Sequence, residues 1–208
     1  MYVDATTLDP AETYRLLVGS VVPRPIAWVT SGSEEGATNL APFSSFAWVS
    51  QHPAMLGFTV NRRPTGRKDT IENIERDGEY VINVATEELL QEMHDSSEWL
   101  APGDSEVKAQ GLEIAPSTRV RVPRLARAKV SMEMVHERTI AFSPTGGEFV
   151  VGRVVAWHID DSVMVNGRID SDLLKPVGRL AGPRYSKLTE VIELAPVPGG
   201  APTGVTSV

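Results

Sequence analysis

The amino-acid sequence predicts a mostly β fold, an antiparallel barrel with a few short peripheral helices. Roughly six or seven segments read as strands, and they do not alternate with helices. That argues against a doubly wound parallel sheet and for a mostly antiparallel barrel. The 208 residues are enough for one well-buried domain and too few for two comfortable ones. With 41% hydrophobic and 23% charged residues, the balance is that of an ordinary globular protein. No repeat or composition shift divides the chain before residue 195, so residues 1–194 are read as one domain. The remainder, 195–208, is rich in proline, glycine and alanine, and is read as a tail or an arm that needs a partner surface.

The first element is helical. Asp9-Pro10-Ala11-Glu12 offers an N-cap, a proline at the first helical position and a glutamate three residues after the cap. Tyr14, Leu16, Leu17 and Val18 supply an apolar side, Gly19 can end the helix, and Pro23 and Pro25 forbid its continuation. Strands follow. Ile26 to Thr30 is β-branched and aromatic, and it stops at a turn-like stretch from Ser31 to Gly36. Phe43 to Ser50 reads as a strand with two mixed faces, Met55 to Val60 as a buried strand, and Asn61 to Gly66 as a loop. A second helix opens at Asp69-Thr70-Ile71-Glu72, with Asp69 as its cap, and closes near Asp77-Gly78. Then come a strand from Tyr80 to Val84, a helix from Glu87 to His94, a loop from Asp95 to Gly103 and a short helix from Ser105 to Gln110, ended by Gly111. Two long strands complete the barrel, Ala128 to Glu137 and Glu148 to Ile159, joined by a turn over 143–147.

Several chemistries drop out. A net charge of −7 disfavours nucleic acid as a partner. No apolar run approaches the ~18–20 residues of a membrane span. Met1-Tyr2-Val3-Asp4 lacks the start of a signal peptide, so a cytoplasmic location is expected. Cysteine is absent, which removes disulfides, iron–sulfur clusters, cysteine-ligated zinc and thiol catalysis together. There is no glycine-rich Rossmann turn and no P-loop, and Gly32-Ser33-Glu34-Glu35-Gly36 has the wrong spacing for a nucleophile elbow. His52, His94, His136 and His158 stand alone in sequence, so no metal is expected. The acidic pairs Glu34-Glu35, Glu87-Glu88 and Asp160-Asp161 read as caps. No side chain is assigned a catalytic role.

One constellation carries binding chemistry. Arg67-Lys68-Asp69-Thr70 places two cations before a helix whose first turn holds a hydroxyl. Helix N-termini present unpaired N–H groups and partial positive charge, which favour phosphate. Plain capping by Asp69 is the alternative. Ser44-Ser45 lies in an aromatic-rich strand where serine is a poor fit, which calls for phosphate or sugar hydroxyls, or else for a cross-strand hydrogen bond. Arg119, Arg121, Arg124, Arg127 and Lys129 run without an intervening acid, and read either as a solvated edge or as an anion-attracting rim.

These segments resemble the flavin reductase-like family with the FMN-binding split-barrel fold. The matching pieces are Arg24-Pro25-Ile26-Ala27-Trp28-Val29-Thr30-Ser31, Asn39-Leu40-Ala41-Pro42-Phe43-Ser44-Ser45-Phe46, Lys68-Asp69-Thr70 with Asn73, Glu79-Tyr80-Val81-Ile82-Asn83, and Gly178-Arg179-Leu180 followed by Tyr185. They stand in the family's order across roughly residues 12 to 190. The resemblance implies that Arg24, Trp28 and Thr30 contact the flavin. Asn39, Ala41, Pro42, Ser44, Ser45 and Phe46 would border the ribityl chain and ring. Lys68, Asp69 and Thr70, with Arg67 beside them, would hold the phosphate, and Tyr185 would lie near the flavin or the nicotinamide pocket. It further implies a homodimer with each FMN near the subunit interface, His94 to Trp99 and the tail being candidates for contacts across it.

The implied reaction is hydride transfer from NADH or NADPH to FMN, with reduced flavin available to a partner monooxygenase. The cofactor carries that chemistry while the protein supplies placement and electrostatics. The rival readings are a flavin-binding electron carrier with little NAD(P)H activity, since one fold serves both, and a related barrel holding pyridoxal phosphate or haem.

Overall fold

The computed structural model describes residues 1–32, 36–64, 66–101, 104–143 and 146–195. Ser33 to Glu35 of the first expected turn, Pro144 and Thr145 of the last, Thr65, Pro102, Gly103 and nearly all of the expected tail lie outside these residues. The helices are α1 (Pro10–Ser20), α2 (Asp69–Asp77), α3 (Leu90–Asp95), α4 (Glu106–Ala109) and α5 (Ser171–Leu174). The long strands are β1 (Ala27–Gly32), β2 (Thr38–Phe43), β3 (Phe46–Ser50), β4 (Met55–Val60), β5 (Glu79–Val84), β8 (Val130–Ala141) and β9 (Glu148–Ile159). Short two-stranded ribbons are made by β6 (Ile114–Ala115) with β7 (Arg124–Leu125), β10 (Met164–Val165) with β11 (Arg168–Ile169), and β12 (Val177–Arg179) with β13 (Tyr185–Lys187).

The seven long strands form one antiparallel sheet in the order β2-β1-β5-β8-β9-β4-β3. Its outermost strands, β2 and β3, are consecutive in the chain and separated only by Ser44 and Ser45. The sheet must therefore curl until its two edges meet, which makes the expected antiparallel barrel. This corrects the expected strand from Phe43 to Ser50. The serines sit in a bend at the seam between two edge strands, where the chain leaves one side of the barrel for the other. Pro42 faces Trp28 on the edge strand β2, a place where a missing N–H costs no ladder bond.

The barrel interior is filled by Val29, Phe43, Phe58, Tyr80, Ile82, Met134 and Val150, and α2 adds Ile71 and Ile74. A second cluster lies outside β1 and β2, where Trp28 and Leu40 pack with Leu89, Met93, Val107, Leu125 and Val177. β1 is buried on both faces, so its Thr30 and Ser31 are covered as fully as Ala27, Trp28 and Val29. At Gly152 on β9 a Cβ atom would lie 2.9 Å from Cζ of Tyr80 and 3.0 Å from the Val135 carbonyl oxygen, so only glycine lets the strand pass.

The capping box of α1 is present: the Glu12 amide donates to Asp9 Oδ1 at 2.7 Å and the Asp9 amide to Glu12 Oε2 at 3.1 Å. The helix passes through Gly19 to Ser20, a step beyond its expected end, and none of its residues is buried. β8 runs past Glu137 to Ala141 because β9 offers it partners back to Glu148. Gly78 closes α2 in the left-handed region, with φ 72°.

Candidate functional site

The seam between β2 and β3 opens a cavity of 270 Å³. Pro42, Ser44 and Ser45 form its seam wall, and Asn61 and Lys68 come from the segment between β4 and α2. Arg24 and Ile26 enter ahead of β1, and Met93 and Ser97 from α3 and the turn after it. Arg179, Leu180, Gly182 and Tyr185 come from the β12–β13 ribbon, and Tyr14 and Val18 from α1.

The start of α2 differs from expectation. Its cap residue is Lys68, with no side-chain hydrogen bond to the first turn, and Asp69 is already helical. The Asp69 carboxylate turns instead toward Arg63, 3.5 Å away. The Ile71 and Glu72 amides donate to the Lys68 carbonyl, and among the described residues those of Asp69 and Thr70 meet no side-chain acceptor. Lys68 Nζ stands 5.2 Å from the centre of the Phe43 ring and makes no ion pair among the described residues. Burial pushes its ammonium below the ordinary lysine value and the Arg63 charge adds to this, while Asp69 opposes it. A part-buried cation without a counter-ion, beside an uncapped helix start, favours a bound anion. The Ser44 and Ser45 hydroxyls make no hydrogen bond among the described residues and border the same space.

Of the residues expected at a flavin site, Arg24, Pro42, Ser44, Ser45, Lys68 and Tyr185 are brought together here. The side chains of the others are engaged elsewhere. Trp28 is fully buried and its indole donates to Ser96 Oγ at 2.9 Å. Thr30 donates to the Pro123 carbonyl at 2.8 Å. Asn39 donates to Ser31 Oγ at 3.1 Å and to Thr70 Oγ1 at 3.0 Å, all three being buried behind the helix start. Ala41 and Phe46 pack on the barrel interior. Arg67 is braced by two carboxylates, Glu75 at 2.7 Å and Glu148 at 3.1 Å, which raise its already high pKa and use its charge. None of these residues lines the cavity.

Arg24 is itself tied to the backbone. Its guanidinium donates to the carbonyls of Val18 at 3.0 Å, Val21 at 2.6 Å and Leu180 at 3.0 Å, tying the end of α1 to the β12–β13 ribbon. The basic run does not reach the cavity: Arg121 pairs with Glu79 at 2.8 Å, and Arg127 with Glu88 at 2.9 Å and Glu92 at 3.3 Å. Sequence reasoning offered Ser97 only within the stretch His94 to Trp99 and overlooked Arg179, Leu180, Gly182, Asn61, Met93, Tyr14 and Val18 as cavity residues. Arg179 and Leu180 had a signal in their own motif; the rest are ordinary residues gathered by the fold.

Known proteins resemble this chain in sequence and in fold. The flavin reductase like domain matches residues 18–171. A protein of Halalkalibacterium halodurans is 40% identical over 199 residues, covering 93% of this chain and 95% of its own. The crystal structure of nitrilotriacetate monooxygenase component B from Bacillus cereus superposes with a TM-score of 0.89 at 34% identity, covering 93% of this chain and 98% of that one. That of 2-nitrobenzoate 2-nitroreductase NbaA from Pseudomonas fluorescens gives 0.86 at 32% identity, covering 100% and 99%. Flavin reductase structures with a split-barrel domain share the fold. This chain belongs to the flavin reductase-like domain family, whose split barrel it adopts.

Proposed function

We propose that the protein binds FMN at the barrel seam and acts as an NADH- or NADPH-dependent flavin reductase. The observation that carries this reading is Lys68, without an ion pair among the described residues, beside the uncapped start of α2 and lining one cavity with Ser44 and Ser45. The donor set fits the flavin's phosphate and ribityl hydroxyls: one cation, first-turn amides and two serines. Once bound, the flavin supplies the hydride chemistry. Lys68 and the α2 amides hold the phosphate, the seam serines orient the chain behind it, and Met93, Ile26 and Leu180 exclude water from the apolar side. No side chain needs to serve as a nucleophile.

The working unit is a homodimer, with residues 1–194 as the folding domain of each copy. At 270 Å³ the cavity falls below the ~300–1,000 Å³ usual for such ligands, which fits a wall completed by a second copy. Beside its mouth α1 leaves Tyr14, Leu16 and Leu17 60%, 51% and 56% exposed. Apolar groups so grouped fit an interface. Reduced flavin made by this cytoplasmic enzyme serves a partner monooxygenase, a reading supported by the 34% identical component B.

An anaerobic absorbance titration tests the proposal. FMN is added, then NADPH and NADH in separate runs. Bleaching of the flavin band within seconds supports the reductase and names its donor. A bound flavin that neither donor bleaches points to an electron carrier, and absence of flavin binding refutes the reading.

A further inference from the structure

We propose that the Tyr185 hydroxyl is a proton donor facing the seam cavity, so that this site also reduces compact conjugated carbonyl compounds. The inference rests on the flavin reading above. It starts from the partners of one oxygen. Arg179 Nη1 donates to Tyr185 Oη, and His94 Nδ1 lies 2.8 Å from the same atom. The Arg179 guanidinium also sits 4.7 Å from the centre of the tyrosine ring, and the His94 ring meets it edge-on at 88°.

A phenol oxygen has one hydrogen and two acceptor positions, whereas a guanidinium can only donate. Arg179 occupies one acceptor position. With its hydrogen on Nδ1, His94 occupies the other, and the hydroxyl hydrogen is left for the cavity that Tyr185 lines. The phenolate formed when that proton departs then has two N–H donors already in place, which is how preorganised sites stabilise developing charge. Burial pushes the Tyr185 phenol above its ordinary value and the Asp95 charge adds to this, against the pull of Arg179, so the proton is held until an acceptor draws it.

Hydride passing between a nicotinamide and a flavin needs no proton from the protein. A built proton donor fits a substrate that takes hydride at one atom and a proton at another. In a conjugated carbonyl compound the hydride, supplied by the reduced flavin, adds to the β-carbon. The O–H bond of Tyr185 breaks as a C–H bond forms at the α-carbon, the C=C π bond is lost, and the flavin is left oxidised. The phenolate regains its proton from water after the product leaves. Ile26, Met93 and Leu180 give the cavity an apolar wall suited to a small uncharged acceptor.

Two measurements test this. Nitrogen-15 NMR of the flavin-free protein should find the His94 hydrogen on Nδ1; a bare Nδ1 overturns the assignment of the proton. Anaerobic mixing of the reduced, FMN-loaded protein with 2-cyclohexenone should yield cyclohexanone, with a rate sensitive to deuterated solvent. Tyr185→Phe should slow that step by about 10²-fold, the scale of general acid catalysis, and remove the solvent sensitivity. If FMN binds and the enone is not reduced, or Tyr185→Phe changes its rate less than twofold, the proton-donor role fails alone. If FMN does not bind, the function proposed above fails and this inference with it.

Discussion

Replacing Lys68 with methionine separates two opposite consequences of one side chain. With flavin, the variant should lose the proposed charged hydrogen bond to phosphate, a contact worth ~1.5–3 kcal/mol. At about 1.4 kcal/mol per decade that weakens FMN binding by about 10- to 150-fold. Without flavin, the same change should stabilise the fold. The folded-state pKa of Lys68 is held below 10.5 by burial and by Arg63, so folding disfavours its charged form. Between that lowered value and 10.5 the unfolded chain binds more protons than the folded one, so wild-type stability rises with pH across this window. Below the window the full penalty applies, and methionine removes it while keeping the apolar stem over Phe43. Flavin fluorescence titration at neutral pH measures the first effect, and urea unfolding at neutral and alkaline pH the second. FMN affinity within twofold of wild type would refute the phosphate placement. A flavin-free variant less stable than wild type would refute the reading of Lys68 as an uncompensated cation. Thr70→Ala is the useful contrast. The Thr70 hydroxyl is buried and accepts from Asn39 at 3.0 Å, so its loss should cost about 1 kcal/mol of stability and weaken FMN binding less than Lys68→Met does.

Two further outcomes follow from the barrel wall. The buried Glu133 carboxylate accepts the amides of Thr118 at 2.7 Å, Arg119 at 2.5 Å and Val120 at 3.0 Å, and also bonds His158 Nε2. Glu133→Ala leaves those amides without their acceptor and should destabilise the protein by about 3 kcal/mol or more in urea unfolding. Burial pushes the Glu133 carboxyl up, but His158 and the three amides outweigh it and hold the pKa below the ordinary 4.5. Its stabilisation is therefore present above 4.5 and lost as pH falls through the lower folded value, so Glu133→Gln should flatten the acid limb of a stability–pH curve. An unchanged acid limb would contradict this. Gly152→Ala drives a methyl group against the buried Tyr80 ring and the Val135 carbonyl, and overpacking of this kind costs about 1–3 kcal/mol. A wild-type melting temperature in that variant would show that the strand has room to move.

Most helices and most strands of the large sheet, though not β2 or the short ribbons, were legible because their cues are local. The Asp9–Glu12 capping box, the left-handed Gly78 and the apolar run of β4 each act within a few residues. The cues failed where distant pairing decides. Nothing near Ser44-Ser45 shows that β2 and β3 end on opposite edges of one sheet, and Asp69 has the residue type of a cap yet turns to Arg63. The candidate site divides the same way. Lys68 and the two seam serines were singled out in the sequence as candidates for an anion site, and they do share a cavity. Arg67 carries the same charge one residue away but is bound by Glu75 and Glu148, the second of which lies on β9. No sequence rule distinguishes the two cations.

The sequence by itself determined the class of fold, the order of its main elements and the absence of cysteine chemistry, and it offered a segment for a phosphate, because propensity, capping and charge are properties of short stretches. Only the tertiary structure decided that the barrel parts at Ser44-Ser45 and that Trp28, Thr30, Asn39 and Thr70 are buried away from the cavity lining. It also brought Tyr185 between Arg179 and His94, the latter 91 residues away in sequence. Which face a strand residue presents, and which charge finds a partner first, depend on packing between segments far apart in the chain.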